Sequence, residues 1–200
     1  MENNETKAPV QARAIEKRER ILKSGFELIC KDGYHNVDCI QIAKNADVST
    51  GTVYRYFTDK REIFIEGLKN TYKEKLFPIF KYQDKKIEIN DLSKMIKDYI
   101  DMSIKNHHMT KTAHEEIMAM RHSDPDVEKI FEDFELEATN ILVKILSDNN
   151  FSSNSLKEKA HLIIYWIDDL CHEIIYHNHK DFDYEKMEEL VIASIVQLLS

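Results

Sequence analysis

Three helix starts lie within about 25 residues of this chain, between Asp38 and Glu62. Asp38 and Gln41 have the spacing of a capping box, in which the first side chain caps the helix and the second reaches back to the cap. Ser49 is a good N-cap for a second helix, and Asp59 with Glu62 forms another capping box. Starts this close together predict short helices joined by tight turns.

The stretch 49–57 has the residues expected of a helix that approaches a phosphate or a base edge. Small and hydroxyl side chains occupy its first turn, where a helix presents free N–H groups and a partial positive charge. Tyr54 and Arg55 supply hydrogen-bond donors on one side of this helix. Val53 and Phe57, four residues apart, supply an apolar anchor on the other side.

A short helix over about 39–46 precedes this stretch, and Asn45 to Val48 forms the turn between the two. Ile40 and Ala43 are expected to face inward on the first of these helices. Two short helices joined by such a turn form the unit that places its second helix in the major groove of DNA. The alternative is a small helical bundle with capped helices, exposed tyrosines and no role with DNA.

The chain from about Arg20 to Phe64 resembles the DNA-binding domain of the tetracycline-repressor (TetR) family of bacterial regulators. The resemblance is carried by Asp32-Gly33-Tyr34, by Ile42-Ala43, by Val48 to Phe57 and by Lys60. It covers about the first third of the chain. It implies a homodimeric repressor that binds a double-stranded DNA operator, with a helical ligand-binding domain after the DNA-binding part.

The resemblance also implies which residues lie at or near DNA, with Lys60 contacting a phosphate. Arg55 joins the set because of its position beside Tyr54. The chain departs from the family at Asp38-Cys39, where the family usually has Thr followed by Ser or Thr, and a thiol is a poor partner for a phosphate. The candidate DNA-binding residues are Cys39, Ser49, Thr50, Gly51, Thr52, Tyr54, Arg55, Tyr56 and Lys60.

Composition and periodicity predict an all-α chain of about nine helices. The four glycines all fall within the first 67 residues, and three prolines are too few for a turn-rich β protein. We expect a disordered arm over 1–11 and a three-helix, helix-turn-helix DNA-binding domain over 12–59. A helical bundle for ligand binding and dimerisation is expected over 60–200.

Sequence features also favour a cytoplasmic protein with no membrane partner. No apolar run approaches the length of a membrane span, and the first five residues lack the apolar stretch of a secretory signal. Cys30, Cys39 and Cys171 are odd in number and far apart, as expected of reduced thiols rather than a disulfide framework.

The net charge of −8 is unevenly distributed along the chain. Residues 1–61 carry 11 basic and 9 acidic side chains, whereas residues 62–200 carry 17 basic and 27 acidic ones, so the two parts sum to +2 and −10. Basic residues cluster before and within the first helix, and such a cluster can follow a phosphate backbone. The alternative is a solvated helix face with acidic partners. The cluster consists of Arg13, Lys17, Arg18, Arg20 and Lys23.

The last two predicted helices favour a dimer. Residues 162–167 and 174–176 are apolar around most of the helix circumference, and a helix that is apolar all round must be buried all round. A twofold partner that lays the same two helices against them would cover both. The alternative is that these are the two central helices of one core. The predicted dimer residues are Ile167, Ile174, Val191, Ile195 and Leu198.

Methionine and aromatic side chains mark a candidate pocket for a small-molecule effector, because such side chains line adaptable apolar sites. An apolar or aromatic compound is therefore the expected ligand, although most of these residues could equally be ordinary core. The candidate ligand-binding residues are Tyr99, Met102, Met118, Phe131, Phe134, Tyr165, Trp166 and Asp169.

A metal- or redox-responsive regulator of the same fold and an enzyme are the competing functions. The spacing of Cys171, His172, His177 and His179 matches no known metal signature, so neither a metal nor another cofactor is predicted. No phosphate-binding loop, nucleophile elbow or paired Cys-x-x-Cys motif is present. Adjacent carboxylates at 168–169 would diverge by about 100° on a helix. We therefore predict no catalytic residues and no enzyme activity.

Overall fold

The computed structural model describes residues 7–88, 91–105, 109–151, 154–177 and 179–200, with side chains for all of these except 7–10 and 74–78. The described part of the chain is all α-helical, as predicted, and contains nine α-helices and no strand. In chain order the helices are α1 Lys7–Asp32, α2 Cys39–Asn45, α3 Thr50–Tyr56, α4 Lys60–Phe80, α5 Leu92–Lys105, α6 Lys111–Ser123, α7 Pro125–Asp148, α8 Leu156–His172 and α9 Tyr184–Leu199.

The described residues also include two single turns of other helix types. A 3₁₀ turn, Tyr34–Asn36, follows α1, and a π-helical turn, Glu173–His177, follows α8. Gly33 precedes the 3₁₀ turn with a φ of 93°, a left-handed conformation that suits glycine. A tight corner therefore joins α1 to α2, as the sequence Asp32-Gly33-Tyr34 led us to expect.

The first helix is longer than predicted. It begins at Lys7, so residues 7–11, which we expected to be disordered, are helical, and that part of the prediction is wrong. Alanines at 8 and 12 are the best helix formers, and Pro9 lies in the first turn, where a missing N–H breaks no helical hydrogen bond. Residues 1–6 of the predicted arm lie outside the described part of the chain.

The chain forms two compact units, and both involve more than one segment. Unit 1 comprises residues 1–71 and 109–128, and unit 2 comprises residues 72–108 and 129–200. This division differs from the expected boundary after residue 59, because residues 60–71 of α4, all of α6 and the first residues of α7 belong with α1–α3. The roles assigned to the two parts stay predictions.

Unit 1 has a core of fully buried side chains from α1 to α4. Its largest members, all less than 2% exposed, are Ile21, Ile29, Ile42, Phe57, Ile63, Phe64 and Leu68. A Cβ placed on Gly67 of α4 would lie 2.4 Å from the ring of Phe26 in α1, so the missing side chain allows these two helices to approach closely. Glu116 of α6 accepts a hydrogen bond from the Tyr34 backbone N–H, 3.0 Å away, and so closes the unit on that side.

Unit 2 buries a second core between α5, α7, α8 and α9. Leu92, Ile100, Leu146 and Ile195 are fully buried there. Asn149 fastens the segment before α5 to the end of α7, since its side chain accepts from the Ile87 N–H and donates to the Ile145 carbonyl. No described helix of either unit has the length and apolarity that crossing a bilayer requires.

Candidate nucleic-acid interface

The first part of the candidate interface is the corner that orients α3. Asp38 accepts hydrogen bonds from the N–H groups of Ile40 and Gln41, and the Gln41 side chain accepts from the Asp38 N–H, so the predicted capping box is confirmed. Asp47 takes a left-handed φ of 52° in the turn after α2. Asn45 donates to the Ser24 hydroxyl of α1, 2.8 Å away, which anchors the turn on the first helix.

Helix α3 buries one side and exposes the other. Val53 and Phe57 are essentially fully buried, which confirms the predicted apolar anchor. The Ser49 hydroxyl accepts from the Thr52 N–H and also hydrogen-bonds with the Thr52 hydroxyl, 2.8 Å away. Tyr54 keeps 57% of its surface exposed. Ser49, Gly51 and Arg55 are exposed too, whereas Thr50, Thr52 and Tyr56 are half-buried.

Two residues of α2 lie differently from what we expected. Ile40, predicted to face inward, is 66% exposed, because Ile42 and Ala43 occupy the buried face instead. Cys39 is buried, so the structure does not favour a direct DNA contact by this thiol. The neighbouring Cys39 thiol is the main cause that raises the pKa of the Tyr54 hydroxyl. Cys39 therefore lies beside Tyr54 with its own side chain buried.

Lys60 has a structural role that the sequence did not reveal. Its ammonium donates to the backbone carbonyls of Tyr34 and Val37, at 2.6 and 2.7 Å, and lies 4.5 Å from the centre of the Tyr34 ring. These carbonyls belong to the segment between α1 and α2, where few N–H groups are available to satisfy them. Two of the three ammonium protons are thus used inside the domain, and the predicted phosphate contact would have to use the third.

Arg61, the next residue, fixes the start of α4 within unit 1. Its guanidinium donates to both carboxylate oxygens of Asp124, at 2.7 and 2.8 Å, and to Asp126 at 2.6 Å. These bonds raise the pKa of Arg61 and lower the pKa of the Asp124 carboxyl. Bidentate geometry of this kind holds the arginine in one orientation. The spacing of 63 residues between the partners gave no sign of this pair in the sequence.

The basic cluster on α1 divides into two kinds of residue. Arg18 is paired with Glu66 of α4, with both nitrogen–oxygen distances at 2.6 Å, and it lies 4.7 Å from the centre of the Phe57 ring. Arg13, Lys17 and Arg20 are exposed. Arg18 therefore has an acidic partner, as the alternative interpretation of the cluster expected. For the exposed Arg13, Lys17 and Arg20, contact with a DNA phosphate stays a prediction.

A cavity in unit 2 is the other candidate site, and most of its lining residues differ from those predicted. Its empty space is about 490 Å³, a volume that includes space open to solvent. Its described lining is apolar and comes from the end of α4 and from α5, α7, α8 and α9. The lining residues are Ile79, Tyr82, Leu92, Met95, Ile96, Tyr99, Leu142, Ile145, Leu146, Ile163, Ile164, Ile167, Ile195 and Leu199.

Tyr99 is the member of the predicted ligand set that belongs to this lining, and its burial raises the pKa of its hydroxyl. Phe131 and Phe134 instead pack on the Tyr72 ring, with ring centres 4.9 and 4.6 Å apart from it. Met118 belongs to α6, and therefore to unit 1. Met102 is half-buried on α5 outside the described lining.

The three remaining candidates lie on the outer side of α8. Tyr165 is 40% exposed and donates to Glu135 at 2.8 Å. Trp166 is half-buried and packs against the core of unit 2. Asp169 is exposed, and partial burial followed by the nearby Asp168 charge raises the pKa of its carboxyl. The structure therefore does not bring these three into the cavity, because the neighbouring isoleucines of α8 occupy its inner face.

The predicted dimer residues fall into two groups, which differ in how deeply they are buried within the subunit. Ile195 has no exposed surface, and Ile167 is buried too, because both line the cavity within the subunit. They are therefore not available to a partner, and that part of the prediction needs correction. Ile174, Val191 and Leu198 are half-buried and pack against the same core.

The buried and exposed faces of α2 and α3, with the capped turn between them, define a helix-turn-helix protein. Residues 21–66 match the model of bacterial regulatory proteins of the tetR family. The resemblance stated from the sequence is thereby confirmed.

Two curated relatives and one solved structure give the extent of the likeness. The HTH-type transcriptional regulator HbdR of Aromatoleum sp. (strain CIB) is 39% identical over 64 residues, which cover 30% of this chain and 28% of that protein. The HTH-type transcriptional repressor KstR of Rhodococcus jostii (strain RHA1) is 39% identical over 57 residues, or 28% of this chain and 27% of that protein. The chain thus spans little more than a quarter of the length of these relatives.

The solved structure extends the likeness to the whole fold. A TetR-family transcriptional regulator from Mesorhizobium loti MAFF303099 superposes with a TM-score of 0.69, covering 94% of this chain and 96% of that one. The two sequences are 16% identical, so the comparison shows a shared fold.

Removing the Lys60 ammonium is predicted to destabilise the protein. The Lys60→Ala variant leaves the Tyr34 and Val37 carbonyls without their charged donor, and loss of such bonds costs about 1.5–3 kcal/mol. Urea unfolding followed by circular dichroism measures the change. Lys69→Ala, an exposed lysine on the same helix, is the control and should stay within about 0.5 kcal/mol of wild type. Unchanged stability in Lys60→Ala, together with weaker DNA binding, would restore Lys60 to a purely phosphate-binding role.

Proposed function

We propose that this chain is a homodimeric transcriptional repressor, that it binds a palindromic operator through α3, and that a small apolar molecule releases it. The capped helix-turn-helix within a tetR-family segment carries this proposal. Helix α3 presents a hydroxyl-rich first turn followed by the exposed Tyr54 and Arg55. Donors at a helix N-terminus fit phosphates, and a following arginine fits a phosphate or the edge of a guanine.

The decisive experiment is binding to the DNA upstream of the protein's own gene, measured by fluorescence anisotropy at several salt concentrations. We expect Arg55→Ala to weaken binding and, if the arginine contacts a phosphate, to reduce the salt slope by about one unit. Tyr54→Phe removes a single hydroxyl and should cost about 0.5–1.5 kcal/mol of binding free energy.

Gly51→Ala provides a sharper probe of close approach. A Cβ on Gly51 has no neighbour within 4 Å, so the folded protein accommodates it, and alanine should even favour the helix. Weaker DNA binding by a stable Gly51→Ala variant would therefore indicate that α3 approaches DNA closely at Gly51. Wild-type affinity in all three variants would contradict the proposed interface.

Exposed apolar side chains on the outer faces of α8 and α9 support the homodimer. Leu162 and Tyr165 of α8 are 45% and 40% exposed, and Leu190 of α9 is 58% exposed. These helices pack against each other within unit 2, so their outward leucines can form one surface. A twofold partner would cover this surface with its own copy. The proposed interface therefore uses the outer faces, in place of the buried Ile167 and Ile195.

The dimer is tested by placing a charge on that surface. Leu190→Glu and Leu162→Glu should fold as wild type, because both positions are exposed in the subunit, and both should shift the protein toward monomer in sedimentation. Burying a carboxylate against a partner is strongly unfavourable. Leu136→Glu on α7, where the leucine is 48% exposed, is the matched control and should remain dimeric. Dissociation by Leu136→Glu alone would move the interface to α7.

The lining of the cavity supports an uncharged effector. It offers isoleucine and leucine side chains from five helices, and the Tyr82 hydroxyl in it already donates toward the Met95 carbonyl at 3.4 Å. A buried charge in such surroundings would lack a partner, so a neutral apolar molecule fits this lining best. Ile79, at the end of α4, belongs to the lining, and α4 begins immediately after the helix-turn-helix. An effector that favours another position of α4 would lower the population able to bind DNA.

The effector class can be decided with uncharged and charged probes of equal length. Decanol should change Trp166 emission and release operator DNA at concentrations where decanoate does neither. Ile96→Phe, which adds bulk to the cavity lining, should weaken decanol binding at least tenfold while leaving DNA binding intact. Leu136→Phe, at an exposed position, is the control. Bound operator must weaken decanol binding by the same factor by which decanol weakens operator binding. A stronger response to decanoate than to decanol would overturn the proposed ligand class.

A further inference from the structure

Three side chains with metal-binding atoms lie together where α8 ends. Glu173 and His177 are the first and last residues of the π-helical turn, and His179 lies two residues further along the chain. One ligand atom from each lies within 4.8 Å of those from the other two. We propose that this cluster binds a divalent transition-metal ion, with zinc as the best fit, because imidazole nitrogens and carboxylate oxygens are zinc ligands.

The distances in the cluster are close to those that a bound ion would impose. Nε2 of His179 lies 3.5 Å from Oε1 of Glu173. Two ligand atoms that are each about 2.0–2.2 Å from a tetrahedral zinc lie about 3.3–3.6 Å from each other. The rings of His177 and His179 are parallel within 2°, with their centres 5.9 Å apart. Both histidines are exposed, so their rings can rotate onto a shared ion without disturbing the core.

Tyr184, the first residue of α9, supports two members of the cluster. Its hydroxyl donates to Oε1 of Glu173 at 3.1 Å and accepts from the backbone N–H of His179. Hydrogen-bond partners of this kind orient metal ligands and raise their affinity for the ion. The π-helical turn adds weight, because such turns occur frequently at functional sites. The ion would thereby join the end of α8 to the loop that leads into α9.

An ordinary ion pair between Glu173 and His179 explains two members of the cluster, but it gives no reason for the alignment of His177.

The other donors considered from the sequence lie elsewhere. Cys171 is buried in the core of unit 2, and Nδ1 of His172 lies 3.6 Å from the Asp168 carboxylate. The proposed site therefore has two histidines and one glutamate, a set that leaves a fourth tetrahedral position for water.

Zinc titration of the full chain tests the proposal. The protein is stripped with a chelator, and calorimetry and thermal unfolding are then followed as zinc chloride is added. We expect one zinc per chain and an unfolding temperature that rises with free zinc. The His177→Ala, His179→Ala double variant should lose saturable binding, and Tyr184→Phe should weaken it about 10–100-fold. His122→Ala and the Cys171→Ser, His172→Ala double variant are the controls and should bind zinc as wild type does.

Cobalt substitution identifies the ligands independently of stability. Cobalt(II) bound to the wild-type protein should show the visible absorption of a four- or five-coordinate site with nitrogen and oxygen donors. A sulfur-to-cobalt charge-transfer band would place a thiolate in the coordination sphere and overturn the proposal. The absence of saturable zinc binding by the wild type would overturn it too, as would undiminished binding by the His177→Ala, His179→Ala variant. If that variant fails to fold, Tyr184→Phe and the cobalt spectrum decide the question.

Discussion

The helix-turn-helix depends on tertiary support, because α2 and α3 have only seven residues each. Helices of this length do not persist in water on their own, since nucleation is unfavourable and few backbone hydrogen bonds form. Caps at Asp38 and Ser49 satisfy the first N–H groups, and burial of Val53 and Phe57 fixes which side of α3 faces outward. The exposed side of α3 is therefore a consequence of what the opposite side buries.

Lys60 and Arg61 show how that support extends along the chain. Lys60 binds the carbonyls of the α1–α2 corner, while Arg61 binds Asp124 between α6 and α7, so consecutive residues secure the start of α4 to two other parts of unit 1. A lysine at the first position of α4 looked from the sequence like a phosphate ligand. Its local carbonyl partners make it a positioning residue as well, and the two roles compete for the same three protons.

Features set by neighbouring residues were predictable from the sequence, and features set by tertiary packing were not. The helix-turn-helix could be predicted because a cap and its partner lie three residues apart, and an apolar anchor four. The cavity could not, since its lining combines residues such as Ile79, Leu142 and Ile195 that are distant in sequence. Choosing aromatic and methionine residues by type favoured Phe131 and Phe134, which pack on Tyr72 instead.

The two faces of α8 and α9 explain why some of the predicted dimer residues are buried within the subunit. A helix that is apolar all round is expected to need cover on every side, but the most apolar residues of α8 and α9 face inward, where Ile167 and Ile195 line the cavity. The outward side holds leucine and tyrosine beside charged residues, a mixture suited to an interface that also meets water. The same two helices thus bound the cavity on one side and the proposed interface on the other. Any change in the cavity that shifts α8 against α9 would also alter the surface offered to the partner subunit, so the ligand and dimer proposals are physically linked.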